Sequence, residues 1–505
     1  MNNIRKVQIT LKINWLRGKA PDFRAGQRLF GAFARAGSRS DSEEKSLPCP
    51  TKAQFAYICS MDRFLGIMIL GAGLLAGGCG VHQAHRAADV RTGERQTAGG
   101  QMTSIRCDSL GRLRRCSPST YNIDSTVLSR CDSVVNGTIL EKNAPGGVLC
   151  IVKDGTVIYE KAYGNRQTVP APLPMYTSTV FDLASLSKCI GTAIAVMQLA
   201  EQKKIDLNAP VDKYLPGYAN WHEGKRTVKI RVRDLMTHTG GLAPYIPTDS
   251  LAKAWGEFQP DSLRNYIIHD LPRLARPGRK RIYSCPSFVS LQYIVESVTG
   301  QKLCDYVQEN IFNVLGLKDT RYLPLDRPID QEYLFRIAPT EVLVPGTTAW
   351  NQISPDTRSG DILLGVVHDP MARRMNMGNS GNAGVFSTAD DLAVLCTALM
   401  NGGEIDGRRI LQARTVKKMF KVQNKKIGRT LGWDATSPYA RFVGERLGKD
   451  RCVCHTGYTG TSILMDLDEN LAIIFLTNAA HPFDKGSVIP ARKAISEIVG
   501  EACGK

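Results

Sequence analysis

The chain lacks the patterns that identify several classes of protein. It has no zinc-finger spacing, no helix-turn-helix signal and no basic stripe interleaved with aromatic residues, which form only 7% of the sequence. It also has no H-E-x-x-H motif. The net charge of +18 is weak support for nucleic-acid binding, because about seven of those charges lie in the first sixty residues, which lack a sustained apolar period. We therefore expect no nucleic-acid partner, no metal and no cofactor.

The cysteines show no repeating spacing, although there are 14 of them. A dispersed set in a long chain does not indicate a disulfide scaffold, so we predict that most are free and buried. Cys452 and Cys454, followed by His455, imitate a metal cluster. At strand spacing, however, the two cysteines share one face and His455 points to the other, which favours packing over zinc binding.

An apolar run from Phe64 to Ala76 follows Met61-Asp-Arg63 and leads into Gly77-Gly78-Cys79. It is too short to span a bilayer, and this arrangement is typical of a signal peptide, with a buried core helix as the alternative. The end of the run resembles a bacterial lipobox, which implies lipidation of Cys79. We expect residues 61–79 to be a lipoprotein signal peptide and residues 1–60 to lie outside the natural product or to be disordered. The protein would then be anchored in the bacterial cell envelope, facing the periplasm or the exterior.

The rest of the chain separates into a polar tether, residues 80–120, and a folded domain, residues 121–505. Residues 123–140 and 490–503 have helical patterns, and the region between about 185 and 400 is mostly helical. Two strand pairs, 147–153 with 156–162 and 462–467 with 471–477, are each joined by a short turn, the first of them Asp154-Gly155. These patterns predict an α+β fold whose antiparallel sheet is built from both ends of the domain, with flanking helices and an inserted helical region.

Ser185 is the strongest candidate for a nucleophile. It opens the apolar helical stretch Ser185-Leu-Ser-Lys188, and residues at i and i+3 are neighbours on a helix. Serine needs a neighbouring base, and a helix N-terminus offers N–H groups to a developing oxyanion. The same S-x-x-K spacing at Ser42 and Ser250 is a decoy, because neither serine begins a long apolar helix.

Two further elements follow in order, Tyr283-Ser-Cys285 and His455-Thr456-Gly457-Tyr458. The order S-x-x-K, Y-x-N, [KH]-T-G resembles that of the β-lactamase and penicillin-binding-protein superfamily, which includes class C β-lactamases, D-alanyl-D-alanine peptidases and family VIII esterases. The resemblance covers about 385 residues, from Tyr121 to the end, and implies a β-lactamase-like fold. A second H-T-G, at His238, follows a helical stretch and corresponds to a structural turn in the family.

The resemblance also implies a role for each residue. Ser185 would attack the carbonyl, while Lys188 and Tyr283 would share the proton transfers, with Tyr283 held partly ionised by Lys188. The backbone N–H groups of Ser185 and Tyr458 would form the oxyanion hole. The substrate cleft would also include the residues His455, Thr456, Gly457 and Cys285. We expect His368 and Asp369 to form loop hydrogen bonds rather than to bind a metal.

Two positions depart from the family pattern. Cys285 stands where asparagine is usual, and a thiol is a weaker donor and acceptor for a substrate amide. His455 replaces a lysine and removes a fixed positive charge. We therefore expect a monomeric, metal-free serine hydrolase that cleaves ester or amide bonds of a small-molecule or peptidoglycan-derived substrate. The alternatives are a D-alanyl-D-alanine carboxypeptidase or β-lactamase, and a catalytically weak wall-binding or sensor protein.

Overall fold

The computed structural model describes residues 107–108, 111–169, 171–342, 362–448 and 450–505. Cys79, the predicted signal peptide and most of the predicted tether lie outside these residues. Within the described part of the chain, no helix is both long enough and apolar enough to cross a bilayer.

Short and long strands alternate with helices along the domain. The strands are β1 (Gly146–Lys153), β2 (Thr156–Gln167), β3 (Leu173–Pro174), β4 (Phe181–Asp182), β5 (Trp221–Glu223), β6 (Arg226–Val228), β7 (Arg321–Tyr322), β8 (Val385–Ser387), β9 (Glu404–Ile405), β10 (Arg408–Arg409), β11 (Cys452–Thr456), β12 (Ser462–Asp466) and β13 (Leu471–Thr477).

The α-helices are α1 (Ser125–Leu140), α2 (Ile194–Glu201), α3 (Val232–Met236), α4 (Thr248–Trp255), α5 (Pro260–Asn265), α6 (Cys285–Thr299), α7 (Leu303–Val307), α8 (Asn313–Leu315), α9 (Gln331–Arg336), α10 (Ala389–Met400), α11 (Ala413–Phe420) and α12 (Ile489–Ala502). Wider π-helical turns occur at Lys188–Ala193, Tyr266–Asp270, Gln308–Phe312 and Met371–Met375.

The main sheet has six strands in the order β11-β12-β13-β1-β2-β3, so the two ends of the domain meet at its centre. The central pair, β1 and β13, is antiparallel, with Gly147 opposite Thr477. Alternate residues of β1 enter two different cores: Val148 faces the inserted helical region, and Leu149 faces α1 and α12. A strand buried on both faces has an almost continuous apolar sequence, which explains the run Val-Leu-Cys-Ile-Val. The predicted α+β fold is confirmed.

Both predicted hairpins are present. Asp154 and Gly155 have φ values of 48° and 73°, the pair of positive values that a two-residue turn between right-twisted strands requires. The first hairpin is longer than predicted, because β2 continues to Gln167. In the second, β12 and β13 pair in register, from Ser462 with Phe475 to Asp466 with Leu471.

The fold begins earlier than Tyr121, which corrects the C-terminal limit of the predicted tether. Leu113 is only 1% exposed and belongs to the main core, and the Cys116 N–H donates to the Val157 carbonyl at 3.1 Å. Residues 111–120 contain few apolar side chains. One buried leucine and one backbone hydrogen bond do not produce a repeating apolar pattern, so the sequence did not predict this part of the fold.

The cysteines behave as predicted within the described residues, since none of them forms a disulfide and most are buried. Cys452 and Cys454 pack in the core beside α1 and α12, whereas Val453 faces the other core. The strand alternation therefore directs both thiols away from His455, as the spacing indicated.

Candidate active site

Ser185 lies at the exit of a short buried strand. From Thr179 to Leu199 every residue is buried except Ser185, which is partly exposed. The preceding Ala184 has a φ of 47°, and its N–H donates to the Asp182 carboxylate at 2.8 Å. A non-glycine residue in the left-handed region is strained and persists only when its surroundings hold it. The turn therefore fixes the direction in which Ser185 leaves the strand.

Lys188 follows Ser185 by three residues and contacts it directly. Its Nζ donates to Ser185 Oγ at 2.8 Å and to the backbone carbonyl of Asn382, also at 2.8 Å. The side chain is completely buried, so these contacts take the place of water around the ammonium. Lys188 also begins a π-helical turn, a local widening that often marks a functional site.

Tyr283 completes this cluster from a separate loop. Its hydroxyl interacts with Ser185 and with Lys188, and the Lys188 Nζ lies 5.3 Å from the ring centroid. The loop is held by His238, whose carbonyl accepts the Ile282 N–H at 2.9 Å and whose Nδ1 accepts the Ser284 N–H at 3.1 Å. The second H-T-G segment therefore positions Tyr283, consistent with a structural turn.

The protonation of the cluster differs from the expectation for Tyr283. Burial raises the pKa of Tyr283 above 10, although Lys188 and Ser185 act to lower it. Burial acts to lower the pKa of Lys188, but the anionic forms of Cys285 and Tyr283 would hold its proton more strongly, and the pKa is raised. At neutral pH the unliganded site therefore pairs a lysine cation with a protonated tyrosine. The predicted partial ionisation of Tyr283 is wrong for this state, because the desolvation of the phenolate exceeds the attraction of one ammonium.

The segment after β11 approaches the backbone that precedes Ser185. The Thr459 hydroxyl donates to the Asp182 carbonyl at 2.7 Å, and the Thr461 hydroxyl donates to the Leu183 carbonyl at 3.1 Å. These two bonds place Tyr458 next to the Ser185 turn. The N–H of Gly457 already donates to the Thr461 carbonyl at 2.7 Å, so Gly457 is not an oxyanion donor. The pairing of the Ser185 and Tyr458 amides as an oxyanion hole stays a prediction.

His455 lies on the cleft face of β11 but carries no charge. Its ring centroid is 6.3 Å from that of Tyr283, and its Nδ1 is 3.0 Å from the Thr456 carbonyl. Burial and the nearby Arg429 lower the pKa of His455 to about 3. The imidazole is therefore neutral throughout the physiological range, in accordance with the loss of a fixed charge inferred from the sequence.

Cys285 lies in the site and is the first residue of α6. It is 4% exposed, and its thiol interacts with Lys188 and with the Asn382 side chain. Burial raises the pKa of the Cys285 thiol, so it is protonated at neutral pH. A protonated, buried thiol acts as a small packing group and a weak hydrogen-bond partner rather than as a second nucleophile.

Three exposed tyrosines, Tyr245, Tyr439 and Tyr458, lie near the site. The ring of Tyr439 lies 5.1 Å from that of Tyr283, and Tyr245 is close enough to Tyr283 to contribute, after burial, to the raised pKa of Tyr245. Tyr458 stacks on His368 at 5.5 Å, and its hydroxyl donates to Asp484 at 2.7 Å. Rings of this kind present broad apolar faces to a substrate.

His368 and Asp369 occupy the neighbouring loop. The His368 N–H donates to Asp182 at 2.7 Å, and its Nε2 is 3.2 Å from Glu341 Oε2. Asp369 accepts the Ala372 N–H at 2.8 Å, so both residues form the loop hydrogen bonds that we expected. Asp369 also lines a cavity of about 360 Å³ together with residues 245–250.

Sequence reasoning missed Asn382, Tyr245 and Tyr439. Asn382 lies in the stretch Gly381 to Leu392, which resembles the family sequence. The residue types in this stretch do not predict that the Asn382 backbone carbonyl accepts a hydrogen bond from Lys188. Tyr245 lies in a loop and Tyr439 in a short 3-10 helix, Pro438–Ala440, and neither segment carries a motif. Their assignment to the site depends on tertiary contacts that no local pattern contains.

Comparison with known proteins agrees with this geometry. Residues 132–496 match the family model described as Beta-lactamase. The chain is 32% identical over 386 residues to a protein of Escherichia coli K12 named "Putative D-alanyl-D-alanine carboxypeptidase", covering 73% of this chain and 86% of that protein. A protein of the same name from Salmonella schwarzengrund is 32% identical over 383 residues, with the same coverage.

Solved structures share the fold at lower identity. EstCE1, described as a hydrolase with promiscuous acyltransferase activity, has a TM-score of 0.56 and 23% identity over 74% of this chain and 99% of that one. A penicillin-binding-protein homologue from Caulobacter crescentus has a TM-score of 0.56 and 18% identity over 75% of this chain and 98% of that one. The extent of the family match and the 32% relatives lead to one conclusion: this chain belongs to the Beta-lactamase family of serine hydrolases.

Proposed function

We propose that the protein is an acyl-enzyme hydrolase that uses Ser185 to cleave ester bonds, or activated amide bonds, of small or peptidoglycan-derived substrates. The observation that carries the proposal is the contact of 2.8 Å between Lys188 Nζ and Ser185 Oγ, with Tyr283 interacting with both residues. A buried ammonium beside a serine and a tyrosine provides the elements of nucleophilic catalysis without a metal.

In the reactive form, Tyr283 is a phenolate stabilised by the Lys188 ammonium. Ser185 Oγ attacks the substrate carbonyl while its proton passes to the Tyr283 oxygen, and the carbonyl electron pair moves onto the oxygen. The tetrahedral intermediate then expels the leaving group, which takes the proton from Tyr283, and an ester on Ser185 remains. Water repeats the sequence: Tyr283 accepts its proton, the Ser185 ester breaks, and the acid product leaves with Ser185 reprotonated.

Three features support neutral, apolar esters over peptides. Cys285 does not provide the paired donor and acceptor that an asparagine would offer to a substrate amide. His455, with a pKa of about 3, offers no positive charge to a substrate carboxylate. The tyrosines Tyr245, Tyr439 and Tyr458 give the entrance an aromatic character that suits an apolar acyl group.

A second candidate is D-alanyl-D-alanine carboxypeptidase activity, which is supported by the names of the relatives that are 32% identical to this chain. A panel of three substrates separates the candidates: an activated short-chain ester, a chromogenic cephalosporin and an acyl-D-alanyl-D-alanine peptide. The proposal requires kcat/KM to be highest for the ester. If only the peptide is hydrolysed, the protein is a D-alanyl-D-alanine carboxypeptidase and the ester proposal is wrong.

Labelling with a fluorophosphonate probe, followed by mass spectrometry of the digest, tests whether the site is active at all. The proposal requires the label on the peptide that contains Ser185. An unlabelled site together with binding of cell-wall fragments would instead support a wall-binding or sensor protein.

For location and partners, we propose a monomer held at the cell envelope by a lipid on Cys79. The support is the apolar run before Gly77-Gly78-Cys79, whose length and small residues suit a cleaved lipoprotein signal. A substrate in the cell wall would be accessible from that position.

A further inference from the structure

A second cavity, of about 650 Å³, is lined by none of the residues proposed for hydrolysis. Three segments form its walls: the stretch from β6 through α3 to residue 239, the loop at residues 276–279, and the loop at residues 423–429. Its cationic lining consists of Arg226, Lys229, Arg231, Arg233, Arg276 and Arg279, with the buried Arg429 in addition. Asp234 is the carboxylate among the lining residues.

Three of these cations are neutralised by carboxylates. Lys229 forms an ion pair with Asp212, Arg276 lies 3.6 Å from Glu223, and Arg429 pairs with Asp434. Those charges are therefore balanced inside the protein.

The other four arginines form no ion pair within the described residues. Arg233 donates to the neutral side chains of Asn208 and Gln423, at 3.1 Å each. Arg226, Arg231 and Arg279 are exposed at the cavity. Asp234 offsets only part of this charge, and one of its oxygens already accepts the Arg231 backbone N–H at 2.9 Å.

Four guanidinium groups around one concave space repel each other, and this repulsion is relieved when an anion enters. The planar guanidinium fork binds phosphoryl oxygens in pairs, and a phosphoryl group carries about −1.5 to −2 charges at neutral pH. Two such groups balance the unpaired charge. We propose that this cavity binds a compact anion that carries two or more phosphoryl groups.

An anion with two or more phosphoryl groups can come from two sources, a soluble polyphosphate or the headgroup of an anionic lipid. The chemistry of recognition is the same for both, since the arginines contact only phosphoryl oxygens. The proposal does not depend on hydrolysis at Ser185, and a Ser185→Ala variant should bind the anion as the unaltered protein does.

Calorimetric titration of the full chain with inorganic tripolyphosphate tests the proposal. We expect binding with a Kd below about 1 mM that weakens as salt is added. The variant Arg226→Gln/Arg279→Gln should raise the Kd at least about tenfold, because each replacement removes charge-assisted hydrogen bonds. The matched control is Arg114→Gln/Arg414→Gln, which removes two exposed arginines outside the cavity and should leave the Kd unchanged.

Sedimentation with vesicles identifies the source. Binding to vesicles that contain cardiolipin, a lipid whose headgroup carries two phosphoryl groups, that exceeds binding to phosphatidylcholine vesicles and disappears in Arg226→Gln/Arg279→Gln assigns the cavity to a lipid headgroup. Binding of tripolyphosphate without this difference assigns it to a soluble anion. If the unaltered protein does not bind tripolyphosphate, or if the cavity and control variants lose binding equally, the proposal is overturned.

Discussion

Replacing Cys285 with asparagine restores the residue that the family pattern has at this position, and the structure allows the effect to be worked out. The Lys188 ammonium has three protons, and its neighbours are Ser185 Oγ, the Asn382 carbonyl, Tyr283 and the Cys285 thiol. An amide oxygen is a stronger acceptor than sulfur, so it would bind the ammonium in place of the thiol. The new NH₂ group would then be available to a substrate amide.

One hydrogen bond in a desolvated site contributes about 0.5 to 1.5 kcal/mol, or roughly a two- to thirteenfold change in acylation. We therefore expect Cys285→Asn to raise kcat/KM by that factor for a cephalosporin or an acyl-D-alanyl-D-alanine peptide. Hydrolysis of a short ester should stay nearly constant, because an ester has no N–H to use the new group. An opposing cost arises from the larger side chain, since adding atoms to a packed site typically destabilises by about 1–3 kcal/mol.

The assay compares kcat/KM for both substrate types in the unaltered protein, in Cys285→Asn and in Cys285→Ser, which keeps the size of the thiol without adding an amide. Thermal unfolding of each variant shows whether a loss of activity reflects a loss of stability. A gain on the amide substrate in Cys285→Asn alone supports the reasoning. Fast β-lactam hydrolysis by the unaltered protein that the mutation slows would show that Cys285 is an adapted specificity residue and would refute the preference for esters.

The other predictions concern the nucleophile, the proton acceptor, the cleft backbone and the anchor. Ser185→Ala should abolish turnover and probe labelling while preserving the fold, whereas Ser187→Ala should retain most activity; a label on Ser187 in the digest would contradict this assignment. Because Tyr283 must lose a proton and its pKa is raised above 10, kcat/KM for an ester should increase with pH without a plateau below about pH 10. A plateau near pH 7 would show that another group is the base. Gly457→Ala should abolish activity, since an added Cβ would lie 2.4 Å from the Leu183 carbonyl; a fully active variant would mean that this loop is not held against the Ser185 turn. Cys79→Ala should move the protein from the membrane to the soluble fraction in cell fractionation, and an unchanged distribution would remove the proposed anchor.

The parts of the fold that the sequence predicted well depend on short-range patterns. The Asp154-Gly155 turn, the strand that begins at Leu471 and the helix that ends at Leu140 follow from turn chemistry and apolar period. The contact between Ser185 and Lys188 follows from their spacing of three residues. Local rules suffice in these cases because the interacting groups are close in the chain.

The features that the sequence did not predict arise from contacts between distant segments. The left-handed Ala184 and the π-helical turn from Lys188 are conformations that propensity disfavours and that the surrounding core stabilises. The pKa of Tyr283 depends on how completely folding removes water from its hydroxyl, and the ionic attraction of Lys188 alone gave the wrong sign for the shift.

The charges near Ser185 bear on the choice between an ester and a peptide. His455 is neutral, Arg429 is buried and paired with Asp434, and Lys188 is engaged within the cluster. Arg281 is another cation near these tyrosines: its guanidinium lies 4.5 Å from the ring of Tyr439, and its Nη1 has no hydrogen-bond partner within the described part of the chain. Burial lowers the pKa of Arg281, which indicates that its charge is poorly solvated and would gain from an anion. The sequence placed this decision at position 455, and we propose that Arg281 is the residue to test for it.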